Sequence, residues 1–414
     1  MRVPLLSEWS PDRLRGRRVL VRVDYNVPLD DEGAITDPGR IDATLPTLAF
    51  LGEAGAKMIL VSHLGRPDGT RDPEASLAPV ARYLEERLGR TVPLLDDPPA
   101  SESVRDTVAE LAEGDILLLE NIRYEAGETE DDPELGRALG RLGDLFVGEA
   151  FGAAHRAHAS NVGAARAIRA SGGWALAGFL MERELRFLDE ALREPERPFV
   201  AVMGGAKISG KIDLIEAILP RVDRLLIGGA MANTFFRALG LETGASLVEP
   251  DRVELAGALL ERAGERILLP VDVVVAEVLA PDAETRECDR TEVRDRERIA
   301  DVGPTTRALF AEEIGKARTL LWNGPMGIFE MPPFAGGTVA VAHAIAEAAD
   351  DGAMAIVGGG DSAAAAGVAG VEDRMTHIST GGGASLDLLA GRPLPGVEEL
   401  GPPTRNTDEE GDGP

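Results

Sequence analysis

Short apolar runs recur along this chain, each followed by a segment with helical spacing. The first half carries RVLVRV (18–23), KMILVS (57–62), DILLLE (115–120) and DLFVGE (144–149). The second half continues with FVAVMG (199–204), RLLIGG (224–229), DVVVAE (272–277), TLLWNG (319–324), AMAIVGG (353–359) and MTHIS (375–379). Runs this apolar suit strands covered on both faces, and their alternation with helices predicts an α/β fold of parallel sheets. Between the halves, FLMERELRFLDEAL (179–192) sets Leu185, Leu188 and Leu192 on one helical face and charges on the other. That pattern predicts a connecting helix, with one lobe at 1–178 and a second at 193–391.

The polar motifs sit at one kind of place. RVLVRV runs into DYN, KMILVS into HLGRP, DILLLE into NIRY, TLLWNG into PMGIFE and AMAIV into GGGDS. Each lies just past the carboxyl end of a predicted strand, where open α/β sheets bind ligands. Strands shared between two halves imply two such crevices.

Composition narrows the ligands. The chain has 414 residues, is 44% apolar, and carries a net charge of −28. That charge argues against nucleic acid as a partner, because backbone binding needs clustered bases. No apolar stretch approaches the ~20 residues that span a bilayer, and MRVPLLSEWSPDRL lacks the apolar centre of a signal peptide. The single cysteine, Cys288, lies in a charged run and excludes an intramolecular disulfide, so a reducing cytoplasm is expected. Of 43 basic side chains only four are lysines. Acidity with scarce lysine fits a protein adapted to a salt-rich interior, a statement about solubility rather than fold.

Against that background, two of the four lysines fall in GGAKISGK (204–211), between a strand-like and a helix-like segment. Gly-rich backbone with flexible point charges beside it suits phosphate. The run nearly fits the P-loop pattern from Gly205 to Ile212, yet Ile212 has no hydroxyl for Mg²⁺. Asp361 in VGGGDS, beside the Ser362 hydroxyl, is the better cation ligand, and a helix N-cap is its plainer role. STGGGAS (379–385) offers another phosphate-sized nest, and Glu330 can accept from ribose hydroxyls. In the first half, Arg22, Arg40, Arg66, Arg123 and Arg156, with His63, His155 and His158, suit a small, multiply anionic molecule. Asp24 and Asn26 can hydrogen-bond a hydroxyl of it. His155 and His158 have i, i+3 spacing, but no metalloprotease-type carboxylate or cysteine accompanies them. Two chemically distinct half-sites favour phosphoryl transfer over a two-lobed binding protein, which needs only one.

Taken in order, RVDYNVPL, GRIDATLPTL, SHLGRP, ENIRY, EAFGAAHRAHAS, GGAKISGKI, IGGAMANTF, LPVDVVVAE, WNGPMGIFE, VGGGDSAAA and HISTGGGASLDLLAG closely resemble the phosphoglycerate kinase family, from residue 22 to 391. The resemblance implies two Rossmann-like lobes and Mg²⁺-dependent transfer between 1,3-bisphosphoglycerate and ADP, giving ATP and 3-phosphoglycerate. It assigns Arg22, Asp24, Tyr25, Asn26, Arg40, His63, Leu64, Gly65, Arg66, Arg123 and Arg156 to 3-phosphoglycerate. It assigns Lys207, Lys211, Asn323, Glu330, Gly359, Gly360, Asp361 and Ser362 to the nucleotide, with Asp361 also holding Mg²⁺ and Arg40 and Lys207 catalytic. It also implies a segment, 392–414, that returns to the first lobe; the acidic, Pro/Gly-rich composition of its end predicts disorder there, and composition predicts a cytoplasmic protein with no nucleic-acid or membrane partner, expected as a monomer. Four positions depart from the family pattern: Glu149 for the usual aspartate, Ala153 for a frequent threonine, Ala230 for a glycine, and Ser362 for threonine.

Overall fold

Strand formation follows burial. In the computed structural model, which describes residues 3–404 and only the backbone of 189–193, the apolar runs lie almost wholly inside the fold. The expectation for the end of the tail falls on 405–414, and that for Leu192 on an undescribed side chain, both outside the described residues. The chain divides into two compact units. Unit 1 takes the residues up to Leu185 and the stretch from Pro393, and unit 2 runs Arg186–Arg392. The division falls within the helix Phe179–Arg193.

Unit 1 is built on six parallel strands: β1 (Arg18–Arg22), β2 (Lys57–Val61), β3 (Leu94–Leu95), β4 (Ile116–Leu119), β5 (Leu145–Gly148) and β6 (Ala175–Ala177). Their order is β3-β4-β2-β1-β5-β6. Arg22 pairs in register with Val61 of β2 and Gly148 of β5. The chain leaves β1 toward β2 and later returns on its other side at β5, so the carboxyl end of β1 is a topological switch point. One core holds Val19, Val21, Leu51, Leu60, Leu84 and Val147.

Local signals fix the site loops. Asn121 accepts from the Arg123 amide at 3.1 Å, and its Nδ2 donates to the Leu64 and Ala75 carbonyls, both at 2.7 Å. One buried amide side chain thereby locks the loop after β2 to the loop after β4. Glu149, just past β5, accepts from the Leu180 and Met181 amides at 3.2 and 3.0 Å. A carboxylate there satisfies two of the unpaired donors that open the helix Phe179–Arg193. The longer side chain at this departure from the family pattern thus has a definite job.

Unit 2 repeats the logic with β7 (Phe199–Met203), β8 (Arg224–Ile227), β9 (Ile267–Leu268), β10 (Asp272–Ala276), β11 (Arg286–Asp289), β12 (Arg298–Val302), β13 (Thr319–Asn323), β14 (Met354–Val357) and β15 (His377–Ile378). Its parallel sheet runs β15-β14-β13-β7-β8-β9, with the switch point between β7 and β13. DVVVAE, read as a strand of the parallel sheet, instead forms the centre of a separate antiparallel sheet, β11-β10-β12. The partner β11 explains this: it is RECD, largely exposed, and such a strand cannot be covered on both faces. Val274 and Ala276 pack with Ala300 and Phe334 in a small core of their own.

Candidate active site

In unit 1 the switch point gathers charge. Arg22 ends β1 with only 1% of its surface exposed. Its Nε donates to the Ser160 hydroxyl at 2.7 Å, an Nη donates to the Val23 carbonyl, and Nη2 lies 3.9 Å from Glu128 Oε1. Glu128 is itself buried and accepts from the Ser160 amide and hydroxyl at 2.9 and 2.6 Å. Burial pushes the Glu128 carboxyl up, and Arg22 and Ser160 oppose that push. Arg40 is held by Asp24 at 3.3 Å and by the Asn26 carbonyl at 3.1 Å, while the Asn26 side chain accepts from the Gly65 amide at 2.9 Å.

His63 stands between these groups, its Nδ1 3.4 Å from Arg22 Nη2. Burial drives its pKa down to about 3, with Asp24 opposing and Arg22, Arg123 and His158 adding to the fall. His158 is pushed to about 3 as well, by burial and then by Arg123 and Arg22. Both rings are therefore neutral near pH 7. Accepting from Arg22 leaves the His63 proton on Nε2, a donor for a ligand. Arg123 is buried with no hydrogen-bond partner for its Nε. Arg66 and Arg156 are exposed, and Arg156 is close enough to depress Arg123 and His158.

So Arg22, Asp24, Asn26, Arg40, His63, Gly65 and Arg123 come together, with Arg156 beside them. Tyr25 and Leu64 do not offer side chains. Both are core residues, and the Tyr25 hydroxyl bonds Thr44 Oγ1 at 2.9 Å. Their apolar bodies gain more from the core than from a wet site. The sequence reading missed Glu128 and Ser160, which hold Arg22.

In unit 2, a cavity of about 530 Å³ opens at the switch point. Its wall includes Gly205, Gly229, Leu247, Leu279, Glu330 and Asp361. Gly229 has φ +66°, and a Cβ there would lie 2.4 Å from the Gly205 amide nitrogen, so the two loops meet only as glycine. Ala230 lies at φ −64°, an ordinary helical value, and its departure from glycine costs no strain. Lys211 donates from Nζ to the Asn323 carbonyl at 2.8 Å. Lys207, Glu330 and Asp361 are exposed. Gly359, at φ +94°, and Gly360 open the helix Gly360–Val368, with Asp361 in its first turn.

Two expectations need correction, those for the KISG turn and for the Ser362 hydroxyl. The backbone of the KISG turn is not a vacant nest: Glu249 accepts from the Ile208 and Ser209 amides at 2.6 and 3.1 Å, and from the Ser209 hydroxyl. Ser362 is 1% exposed; its hydroxyl donates to the Gly358 carbonyl at 3.0 Å and accepts from the Gly324 amide at 2.6 Å. Asn323 is buried too and donates to the Gly358 carbonyl at 2.6 Å. Both tie the loop after β13 to the loop after β14; the Ser362 hydroxyl is spent there, whereas Asn323 Oδ1 is buried with no hydrogen-bond partner. Among the described residues no group of three or more His, Cys, Asp or Glu side chains converges as a metal cage. A lone, open Asp361 carboxylate still fits Mg²⁺, which keeps several waters and takes other ligands from phosphate oxygens.

The phosphoglycerate kinase family model matches residues 11–392. A phosphoglycerate kinase of Chloroflexus aurantiacus is 52% identical over 393 residues, covering 93% of this chain and 96% of the relative. One of Prosthecochloris aestuarii is 50% identical over 389 residues, covering 93% and 97%. The solved phosphoglycerate kinase of Coxiella burnetii superposes with a TM-score of 0.87 at 40% identity, covering 96% of this chain and 99% of that one. Two parallel α/β units, one with a cluster of arginines and neutral histidines and one with a glycine-walled cavity, fit the architecture of a phosphotransferase. The chain belongs to the phosphoglycerate kinase family, whose acceptor is a carboxyl group.

Lys211 carries a test of its own. Burial lowers its pKa to about 8, with Asp361 opposing. Above that pH the side chain loses its charge, whereas a phosphate beside it favours the ammonium. A nucleotide phosphate bound at Lys211 would then require proton uptake, so on that reading Kd should be flat below pH 8 and rise about tenfold per pH unit above it. Lys211→Met should bind more weakly with no bend, measured by calorimetry across pH. A straight wild-type profile through pH 8 counts against a phosphate at Lys211.

Proposed function

We propose that this chain catalyses the reversible, Mg²⁺-dependent transfer of the acyl phosphate of 1,3-bisphosphoglycerate to ADP, giving ATP and 3-phosphoglycerate. The observation that carries the proposal is the charged cluster at the switch point of unit 1 together with the cavity at the switch point of unit 2. The first gathers arginines and neutral histidine donors; the second is walled by glycines and an open carboxylate, with Lys211 beside Gly205, in a chain of this family. The bond from phosphorus to the carboxyl oxygen breaks as the bond to the terminal ADP oxygen forms, and no proton moves. Both nucleophiles, the carboxylate and the ADP phosphate, are ionised near neutrality, so no general base is required. Catalysis is then positioning and charge stabilisation. Arg22, Arg123, Arg156 and Arg66 hold the phosphate and carboxylate of 3-phosphoglycerate, with Asp24, Asn26 and His63 on its hydroxyl. Lys211 and the glycine loops hold nucleotide phosphates, Glu330 the ribose, and the exposed Leu247 and Leu279 the base. Arg40 and Lys207 meet the equatorial oxygens of the moving group. Asp361 holds Mg²⁺, which when bound offsets phosphate charge.

A coupled assay with MgATP and 3-phosphoglycerate tests this directly. Turnover that needs both substrates is expected; none by folded protein overturns the assignment. We further propose a cytoplasmic monomer suited to high salt, from the net charge of −28. At low ionic strength the Debye length reaches ~30 Å and the acidic surface repels itself. The melting temperature should therefore climb steadily into molar KCl. A melting temperature independent of KCl removes the halophilic reading and leaves the enzyme assignment intact.

A further inference from the structure

A basic cleft lies in unit 1, at the far end of β1 from the arginine and histidine cluster around Arg22. Arg22 closes that strand and Arg18 opens it, four residue steps or about 13 Å apart. The cleft has a volume of about 620 Å³, and its wall includes Arg17, Arg18, Arg137, Arg141 and one acid, Asp144. That acid is already taken. Arg18 meets Asp144 with Nη2 at 2.6 Å from Oδ1, and its backbone amide reaches Oδ2 at 2.9 Å. Burial pushes the Asp144 carboxyl up, but these bonds and the charge of Arg17 bring it below the usual carboxylate range.

The guanidinium groups of Arg17, Arg137 and Arg141 have no hydrogen-bond or ion-pair partner among the described residues. Unit 2 shows how unusual that is. A cleft of about 540 Å³ at the amino ends of β7 and β8 also collects bases. There each one has its own acid: Arg197 with Asp223 at 2.7 Å, Arg224 with Glu313 at 3.2 Å, and Lys316 with Glu312 at 2.7 Å. In a chain with 71 acidic residues against 43 basic ones, three exposed guanidiniums around one opening, whose single acid Arg18 already holds, depart from that pattern of pairing. Arg137 and Arg141 do lie at the end of the helix Pro133–Gly140, where the dipole welcomes a cation. That dipole amounts to about half a charge, and Arg17 is on no helix. The rest of the wall is small: Gly140 packs directly on Ala167, where a Cβ would come within 2.6 Å, and a Cβ on Gly172 would meet nothing within 4 Å.

We propose that this cleft is a second anion site, for a small polyphosphate, distinct from the substrate site proposed at the other end of β1. Three planar forks around one opening match phosphate groups in bidentate fashion, and the volume is that of a small-molecule pocket. Inorganic pyrophosphate is the probe, titrated calorimetrically at low ionic strength into the full chain saturated with 3-phosphoglycerate and ADP. The triple variant Arg17→Ser, Arg137→Ser, Arg141→Ser should bind it at least about 30-fold more weakly while kcat stays unchanged. Ala170→Glu, which keeps every arginine but puts an acid in the cleft, should do the same. A control that removes equal charge elsewhere, Arg82→Ser, Arg105→Ser, Arg252→Ser, should bind as wild type. Equal pyrophosphate binding by wild type and the cleft variants overturns the proposal, as does an equal loss in the control. Citrate binding as tightly as pyrophosphate overturns the choice of phosphate.

Discussion

Replacing Arg40 or Lys207 by alanine is expected to lower kcat by about 10²–10³ while changing KM little, the usual cost of losing a donor to charge that develops in transfer. Arg40 is suited to this because Asp24 and the Asn26 carbonyl hold one Nη and leave the rest of the fork free. Lys207 rides on the turn that Glu249 anchors by the Ile208 and Ser209 amides. Two comparisons make the result specific. Arg66→Ala should raise the KM for 3-phosphoglycerate, since that exposed side chain is proposed to bind substrate alike in ground and transition states. Lys316→Ala should do nothing, because Lys316 is exposed and paired with Glu312 and Glu313. Steady-state kinetics on four variants decides the matter. Equally small effects at Lys207 and Lys316 would sink the role given to the lysine loop.

Glu128→Ala is expected to destabilise unit 1 by about 3–5 kcal/mol, the range for removing one partner of a buried ion pair. The reason is Arg22: its guanidinium is always charged, it is 1% exposed, and Glu128 is the acid beside it. The measurement is the denaturation midpoint. The double variant Glu128→Ala, Arg22→Met should recover part of the loss, because an apolar side chain needs no counter-charge, yet it should bind 3-phosphoglycerate poorly. A single variant within ~1 kcal/mol of wild type would mean that Glu128 is not the counter-ion that keeps Arg22 buried.

The strands were legible because a strand buried on both faces must be written in apolar residues, as TLLWN and FVAVM are. Three of the short edge strands were not, although the run MTHIS did mark the edge strand β15. Two residues in β3 and β9, and three in β6, carry no periodicity to read. DVVVA was readable as a strand, but its neighbours were not, since sheet membership depends on partners distant in the chain. In the site, the strand-end arginines and glycines stood out by position. Tyr25, Leu64 and Ser362 carry the same motif signal, and only packing decides that their side chains turn inward. Glu128 hides in the acidic run GETEDD, which reads as solvated surface. Glu249 fills amides forty positions earlier, a pairing that no local pattern announces.

The edge strand β6 has a further consequence. Leu5 bridges Ala177, and Gly401 bridges Ala175 with two backbone hydrogen bonds of 2.8 and 3.0 Å. The same return segment is clamped by Arg169 and Arg166 on Glu399. Unit 2 is contiguous, whereas unit 1 is closed by residues made only after all of unit 2 has been synthesised. On the ribosome, unit 2 can finish folding while the border of the other sheet still lacks its cover. An open strand border is a template for pairing with another chain, so a nascent chain halted before Gly401 is at its most prone to aggregate. Quality control of this protein during synthesis should therefore hinge on a few residues far in sequence from the border they cover.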